Sequence, residues 1–206
     1  MIELPLFPLN LVLFPGMRLP LHVFEERYKL MIGTCMVTDQ TFGVALIDSG
    51  EEVGGPAEVR SIGTTARIVE IDRLPEGRMN LVTIGVDRFR IHEQIAGKPY
   101  AVGRVEILPD EDDEVAVGMV DRVGQLFRRY LSSQGISAEH VARLRLPDDP
   151  LALSYLIAAN FKVALRQKQQ LLEAGSAAAR LRREQQLLEW EAGGPGGANA
   201  RSFSLN

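Results

Sequence analysis

Leu4-Pro5-Leu6-Phe7-Pro8-Leu9-Asn10-Leu11-Val12-Leu13-Phe14-Pro15-Gly16-Met17-Arg18-Leu19-Pro20-Leu21-His22-Val23-Phe24-Glu25-Glu26-Arg27-Tyr28 is the stretch on which the reading of the whole chain turns. Pro5, Pro8, Pro15 and Pro20 each follow an apolar residue. Proline has no amide hydrogen and a fixed φ, so only short, edge-type strands and turns fit between them. Phe14-Pro15-Gly16-Met17 suits a type II turn, with proline pre-setting φ at the second position and glycine accepting positive φ at the third. Glu25-Glu26 then opens a helix, because negative charge is favoured at the positive end of the helix dipole. Phe24, Tyr28 and Met31 recur at helical spacing and predict its buried face.

Working outward, strand signals return. Phe42 to Ile47 is an apolar run of strand length closed by Asp48-Ser49-Gly50, and Glu51 to Pro56 reads as an exposed loop. Ile62–Ile71 and Met79–Val86 are rich in β-branched residues and flank Pro75-Glu76-Gly77, which reads as a hairpin loop. Phe89 and Ile91 alternate with Arg88, Arg90 and His92, and Val105 and Ile107 alternate with Arg104 and Glu106, as half-buried strands require. About six strands and one helix predict a barrel-like sheet that closes its edges on itself.

The period changes near Asp110-Glu111-Asp112-Asp113-Glu114. Consecutive carboxylates do not converge on one ion without a shaped loop, so this run reads as a solvated linker leading into a helix. From Ala116, the residues Met119, Val120, Val123, Leu126, Phe127, Tyr130 and Leu131 step at helical spacing, with Gly118 and Gly124 inside the pattern. Ser137 can cap a short helix, and Asp149-Pro150 offers a cap followed by proline at the first helical position. Leu153, Leu156, Ile157 and Phe161 form that helix's apolar face. Helical stretches over 165–173 and 177–192 complete a bundle of four to five helices. The reading is therefore α+β: a β-rich part over 1–110, a helical bundle over 111–192, and a glycine-rich tail over 193–206 expected to be flexible.

Composition limits what such a chain can do. It has 206 residues, 46% hydrophobic and 24% charged, which is globular and long enough to bury a core without staples. The formal charge of −4 gives no general surplus of cations for phosphate. Local stripes remain at Arg122, Arg128 and Arg129 and at Arg180, Arg182 and Arg183, but nucleic acid is not the expected ligand. Cys35 is the sole cysteine and lies in an apolar run, so a buried small hydrophobe is expected and a disulfide or Cys-rich zinc site is not. Glu3 and the early prolines interrupt any leader-like apolar segment, and no run approaches the ~20 residues that span a bilayer, so a cytoplasmic protein is expected.

Chemistry-bearing motifs are missing. There is no P-loop, no Gly-x-Ser-x-Gly and no His-Glu-x-x-His. His22, His92 and His140 are scattered and lack ligand partners at i+4. His92 and Glu93, adjacent in a strand pattern, point to opposite faces and do not form a base pair for catalysis. No catalytic, metal or cofactor residue is assigned.

The opening stretch also resembles the start of the substrate-binding N-terminal domain of Lon proteases. Leu-Phe-Pro-Leu, Phe-Pro-Gly, Leu-Pro-Leu, Phe-Glu and Arg-Tyr stand in that order and spacing. Phe42-Gly43-Val44, Ile62-Gly63-Thr64, Gly85 to Arg90 and Pro99-Tyr100-Ala101 resemble that domain's successive strands. Leu156-Ile157-Ala158-Ala159, Lys168 to Glu173 and Arg180-Leu181 resemble its helices, so the likeness covers about residues 2–190. Ala164-Leu165-Arg166 departs from it by lacking a small polar cap. The resemblance implies a β-rich subdomain like that of the pseudouridine-synthase-associated (PUA) fold, followed by a helical bundle. It implies a non-enzymatic module, without ATPase or peptidase parts, that binds unfolded or exposed apolar polypeptide segments; the alternatives are an adaptor for one folded partner and RNA binding through the PUA-like fold. Phe7, Phe14, Leu19, Leu21 and Phe24 are expected to be core, so the motif itself names no binding residue.

Overall fold

Strand β1 (Ile2–Leu9) keeps two prolines because its pairing is divided between two neighbours. Ile2 to Pro5 runs antiparallel to β7 (Val102–Leu108), and Leu6 to Leu9 runs parallel to β3 (Thr41–Gly50). Leu6 N–H is given to Ala101 O at 2.8 Å. The next residue facing that side is Pro8, which has no N–H to leave unpaired. The computed structural model to which these elements belong describes residues 1–52 and 57–193.

The remaining strands are β2 (Arg18–Val23), β4 (Ala57–Val59), β5 (Ile62–Arg73) and β6 (Met79–Ile95). The path β1-β7-β6-β5-β3 closes through the parallel β1–β3 pairing, and β4 hangs from β3. Strand β6 gives one edge to β5 and shares the other between β2, over 79–84, and β7, over 88–95. The two runs read from sequence as separate strands are thus one strand, bent at a bulge where Thr65 opposes Val86 and Asp87. Thr65 Oγ1 holds the bulge by accepting from Asp87 N–H at 2.9 Å.

Glycines fix how closely this barrel wraps. The predicted turn forms, with Met17 N–H donating to Phe14 O at 3.0 Å and Gly16 at φ 79°. It docks on β6 through Gly16 N–H to Gly85 O and Gly85 N–H to Met17 O, at 2.8 and 2.9 Å. A Cβ at Gly85 would stand 2.2 Å from Phe14 O, so no other residue fits there. Inside the barrel, a Cβ at Gly63 would lie 2.4 Å from Val44 O and 2.6 Å from Phe89 Cζ, and one at Gly43 would lie 2.7 Å from Phe89 Cζ. The Phe89 ring fills the space these glycines leave, packed with Leu4, Leu6 and Val105.

A second apolar cluster lies under helix α1 (Glu26–Met36), which buries Tyr28, Met31, Ile32 and Cys35. Phe24 precedes the helix and is 48% exposed, contrary to its expected core role. Phe7, Phe14 and Leu19 are buried as expected, and Leu21 is half-buried. Pro99 to Ala101 forms the bend before β7 and is not itself strand.

Helix α5 (Leu165–Glu173) groups with the barrel, so Met1–Pro109 and Phe161–Glu173 form one compact unit. Gln169 Nε2 donates to Ile62 O at 3.0 Å, and Arg88, itself buried, donates to Leu172 O and Pro109 O, each at 3.2 Å. The polar cap that the sequence lacks is supplied from within: Gln167 Oε1 accepts Ala164 N–H at 3.2 Å.

The other unit comprises Asp110–Asn160 and the chain from Ala174 onward. Its helices are α2 (Met119–Ser133), α3 (Ala138–Arg143), α4 (Pro150–Asn160) and α6 (Ala177–Gly193). The division expected at 110/111 placed 165–173 among these helices; in the structure that segment packs on β5. Gly118, expected inside α2, is its cap, at φ 76°. Ser137 caps α3, and Asp149 Oδ2 accepts Ala152 N–H at 2.7 Å ahead of Pro150. At the centre lies Arg180, fully buried, donating to Asp110 Oδ1, Ser154 Oγ, Tyr155 Oη and Ala174 O at 2.9–3.1 Å and stacking 3.9 Å above the Tyr155 ring. Of the tail expected over 193–206, Gly193 is the last residue of α6, while 194–206 and the loop tip over 53–56 lie outside the described residues.

Candidate functional site

The groups most able to do chemistry are each occupied with structure. Cys35 is buried, and burial together with nearby Asp39 pushes its thiol up to about 11, the opposite of what a nucleophile requires. His22 Nδ1 lies 2.8 Å from Asn80 Oδ1, His92 Nε2 2.9 Å from Glu106 Oε2, and His140 Nδ1 2.6 Å from Ser137 Oγ. Glu93 turns instead to Arg104, at 2.6 Å, so the His92–Glu93 pair separates as the strand pattern predicts. Among the described residues, no three His, Cys, Asp or Glu side chains gather to hold a metal ion.

The acidic run is only partly the solvated linker expected of it. Asp110 receives Arg180 and the Tyr155 hydroxyl, the latter at 2.6 Å, and Asp113 accepts from Ser176 Oγ and Arg182. The basic stripes are likewise depleted. Arg180 is buried, Arg182 is paired with Asp113, and Arg128 donates to Val141 O and Leu144 O at 2.6 and 2.7 Å, closing the end of α3.

The β-rich unit carries an open cleft of about 260 Å³ between the end of β1, strand β2 and the start of α1. Its floor is the Phe7–Tyr28 pair, stacked at 4.0 Å, and its walls are Leu9, Leu11, Leu19 and Leu21. Alternation along β2 decides which of its lining residues are exposed. Leu19 and Val23 point into the core, which leaves Pro20, His22 and Phe24 on the outer side. Phe24 therefore forms the lip, its ring 6.0 Å from that of His22. The same alternation, extended one residue beyond Val23, was the signal in the sequence; the helical spacing to Tyr28 and Met31 pointed the other way.

The rim is charged. Glu25 and Glu52 both line the cleft. Arg27 Nε donates to Glu25 Oε2 at 3.1 Å and its Nη2 to Glu52 O at 3.3 Å, while Glu52 Oε2 accepts Asn10 N–H at 3.0 Å. Tyr28 has its hydroxyl pKa raised, first by burial; Arg27 opposes this, and Glu25 and Glu52 add to it. Such a site can desolvate an apolar side chain and orient it by charge, but it brings no nucleophile and base together.

Comparison with known proteins gives the site a setting. Residues 3–189 match the family model described as the ATP-dependent protease La (LON) substrate-binding domain. The chain is 31% identical over 191 residues to a Lon protease of Anaeromyxobacter dehalogenans, covering 90% of this chain and 23% of that protein. It is 33% identical over 196 residues to Lon protease 2 of Herpetosiphon aurantiacus, covering 92% and 24%. The chain thus spans about a quarter of the length of the curated relatives it matches. Among solved structures, a Lon N-terminal domain protein from Xanthomonas campestris is similar with a TM-score of 0.67 and 29% identity, covering 92% of this chain and 99% of that one. The N-terminal domain of a Mycobacterium avium complex Lon protease, at 21% identity and the same TM-score of 0.67, shares the fold.

Proposed function

This chain belongs to the Lon substrate-binding domain family, and from that premise we propose that it binds exposed apolar segments of unfolded polypeptide in the cleft beside β2, with no catalytic step of its own. The observation that carries the reading is the exposed Phe24 at the mouth of a leucine-walled cleft. Exposed aromatic side chains beside a concave apolar surface offer large, rigid contact area to a polypeptide partner. A client side chain that enters is desolvated against Leu19, Leu21 and the Phe7–Tyr28 floor. Residues 1–206 contain neither a P-loop nor a peptidase motif, so unfolding and cleavage of a client fall to other polypeptide. The reading sets this binding in the cytoplasm; among the described residues no helix is long and apolar enough to cross a membrane.

The test is affinity for a permanently unfolded polypeptide against its folded counterpart, without nucleotide, for the wild type and Phe24→Asp. Selective binding of the unfolded form is expected, weakened about tenfold by the substitution, since losing one anchor costs on the order of 1–2 kcal/mol. Equal affinity for the two forms sinks the reading. Tight stoichiometric binding to one folded protein in its place supports the adaptor.

A further inference from the structure

An apolar cleft alone would accept any greasy segment; this one has a sign. The charged side chains lining it are Glu25 and Glu52. The cation facing them, Arg27, is shared between Glu25 and Glu52 O and lies over the Tyr28 ring, 4.5 Å from its centroid. Lys29, further along α1, is tied to Glu26 at 2.8 Å and to Glu76 O at 2.7 Å. His22 is the remaining titratable group at the lip, held to Asn80. Counting Glu25 and Glu52 against Arg27, the lining carries a net negative charge.

We infer that the cleft selects, among unfolded segments, those whose apolar anchor is flanked within one or two residues by Lys or Arg, and rejects those flanked by Asp or Glu. This rests on the polypeptide-binding reading above and names the client class. An anchor seated on the Phe7–Tyr28 floor places its chain neighbours at the rim, where Glu25 and Glu52 stand. A flanking cation there meets carboxylates already held in place, by Arg27 for Glu25 and by the Asn10 amide for Glu52, so little ordering is required of the protein. A flanking carboxylate meets like charge at the same distance.

The experiment uses three labelled peptides with one apolar core and Lys, Gln or Glu flanks, titrated at low and high salt against wild type, Glu52→Gln and Glu114→Gln. Gln at position 52 keeps an oxygen for Asn10 N–H and removes only the charge. Glu114 is exposed and outside the cleft, so its variant controls for net charge. The expected order is Lys over Gln over Glu, with about a fivefold to tenfold span at low salt, as partly exposed charge pairs give. The span shrinks in high salt and in Glu52→Gln, and is unchanged in Glu114→Gln. Equal binding of all three peptides, or equal loss of preference in the two variants, overturns the inference and leaves the cleft reading intact. Binding of none of the three overturns both.

Discussion

Where the strands of the β-rich unit come closest, the chain supplies glycine and lets one phenyl ring take up the space. Where α4 and α6 meet in the helical unit, it supplies a fully buried arginine. Phe89, Gly43 and Gly63 form a contact set governed by repulsion, in which nothing can be added. Arg180, Asp110, Ser154 and Tyr155 form one governed by electrostatics, in which nothing can be taken away. A desolvated guanidinium is tolerable only when its donors and charge are answered, and here a carboxylate, two hydroxyls, a carbonyl and an aromatic face answer them.

The contrast can be broken by substitution. Arg180→Ala should cost the helical unit about 3–5 kcal/mol, because the Asp110 carboxylate loses its buried counter-charge. Urea unfolding followed by the fluorescence of Trp190, the sole tryptophan and a residue of α6, reads this unit directly. A loss below about 1 kcal/mol would mean that the buried cation is not what holds α6 in place. Gly63→Ala adds one methyl group and should cost about 3 kcal/mol, the upper range for overpacking, because one obstacle is backbone at 2.4 Å. A neutral outcome, measured by far-ultraviolet circular dichroism against denaturant, would show that the barrel yields at this contact.

The smallest effect sharpens the comparison by asking how dry the β-rich core is. Burial raises the Cys35 thiol to about 11 from an ordinary 9.0, so the folded state holds the proton that the unfolded chain gives up. Stability from this source is therefore complete below pH 9 and is lost as pH rises toward 11, by roughly 2–3 kcal/mol. Thermal unfolding of the wild type should fall across that window more steeply than that of Cys35→Ala. Parallel curves would mean that water reaches the thiol.

Much of this architecture was legible in the chain because it rests on local rules. Proline and glycine at 15 and 16 specify the turn, β-branched enrichment marks β5 and the start of β6, period-two alternation marks the rest of β6 and β7, and Ser137 and Asp149-Pro150 specify the starts of α3 and α4. What escaped depended on contacts between distant residues. Nothing local distinguishes α5, which packs on the barrel, from the helices of the other unit, because Gln169 and Ile62 are 107 residues apart. The acidic run hid Asp110 among exposed neighbours, since only the position of Arg180 separates a structural carboxylate from solvated ones. The cleft was half visible. Its aromatic lip obeyed strand alternation but also fitted helical spacing, and Glu52 reaches the rim from the far end of β3, which no motif records.

The return of residues 161–173 to the β-rich unit has a consequence during synthesis. A ribosome that has just released β7 has delivered every strand described, yet Ile62 O and the Arg88 guanidinium still await Gln169 and Leu172. At about 5–20 residues per second, several seconds pass before that helix emerges, and most of the helical unit is made in the interval. Neither unit is a contiguous cassette that recombination could cut out whole. A break after Pro109 removes α5 from the barrel, and one after Asn160 removes α6 from Arg180's partners. The interleaved order means that neither unit can be excised as one uninterrupted segment.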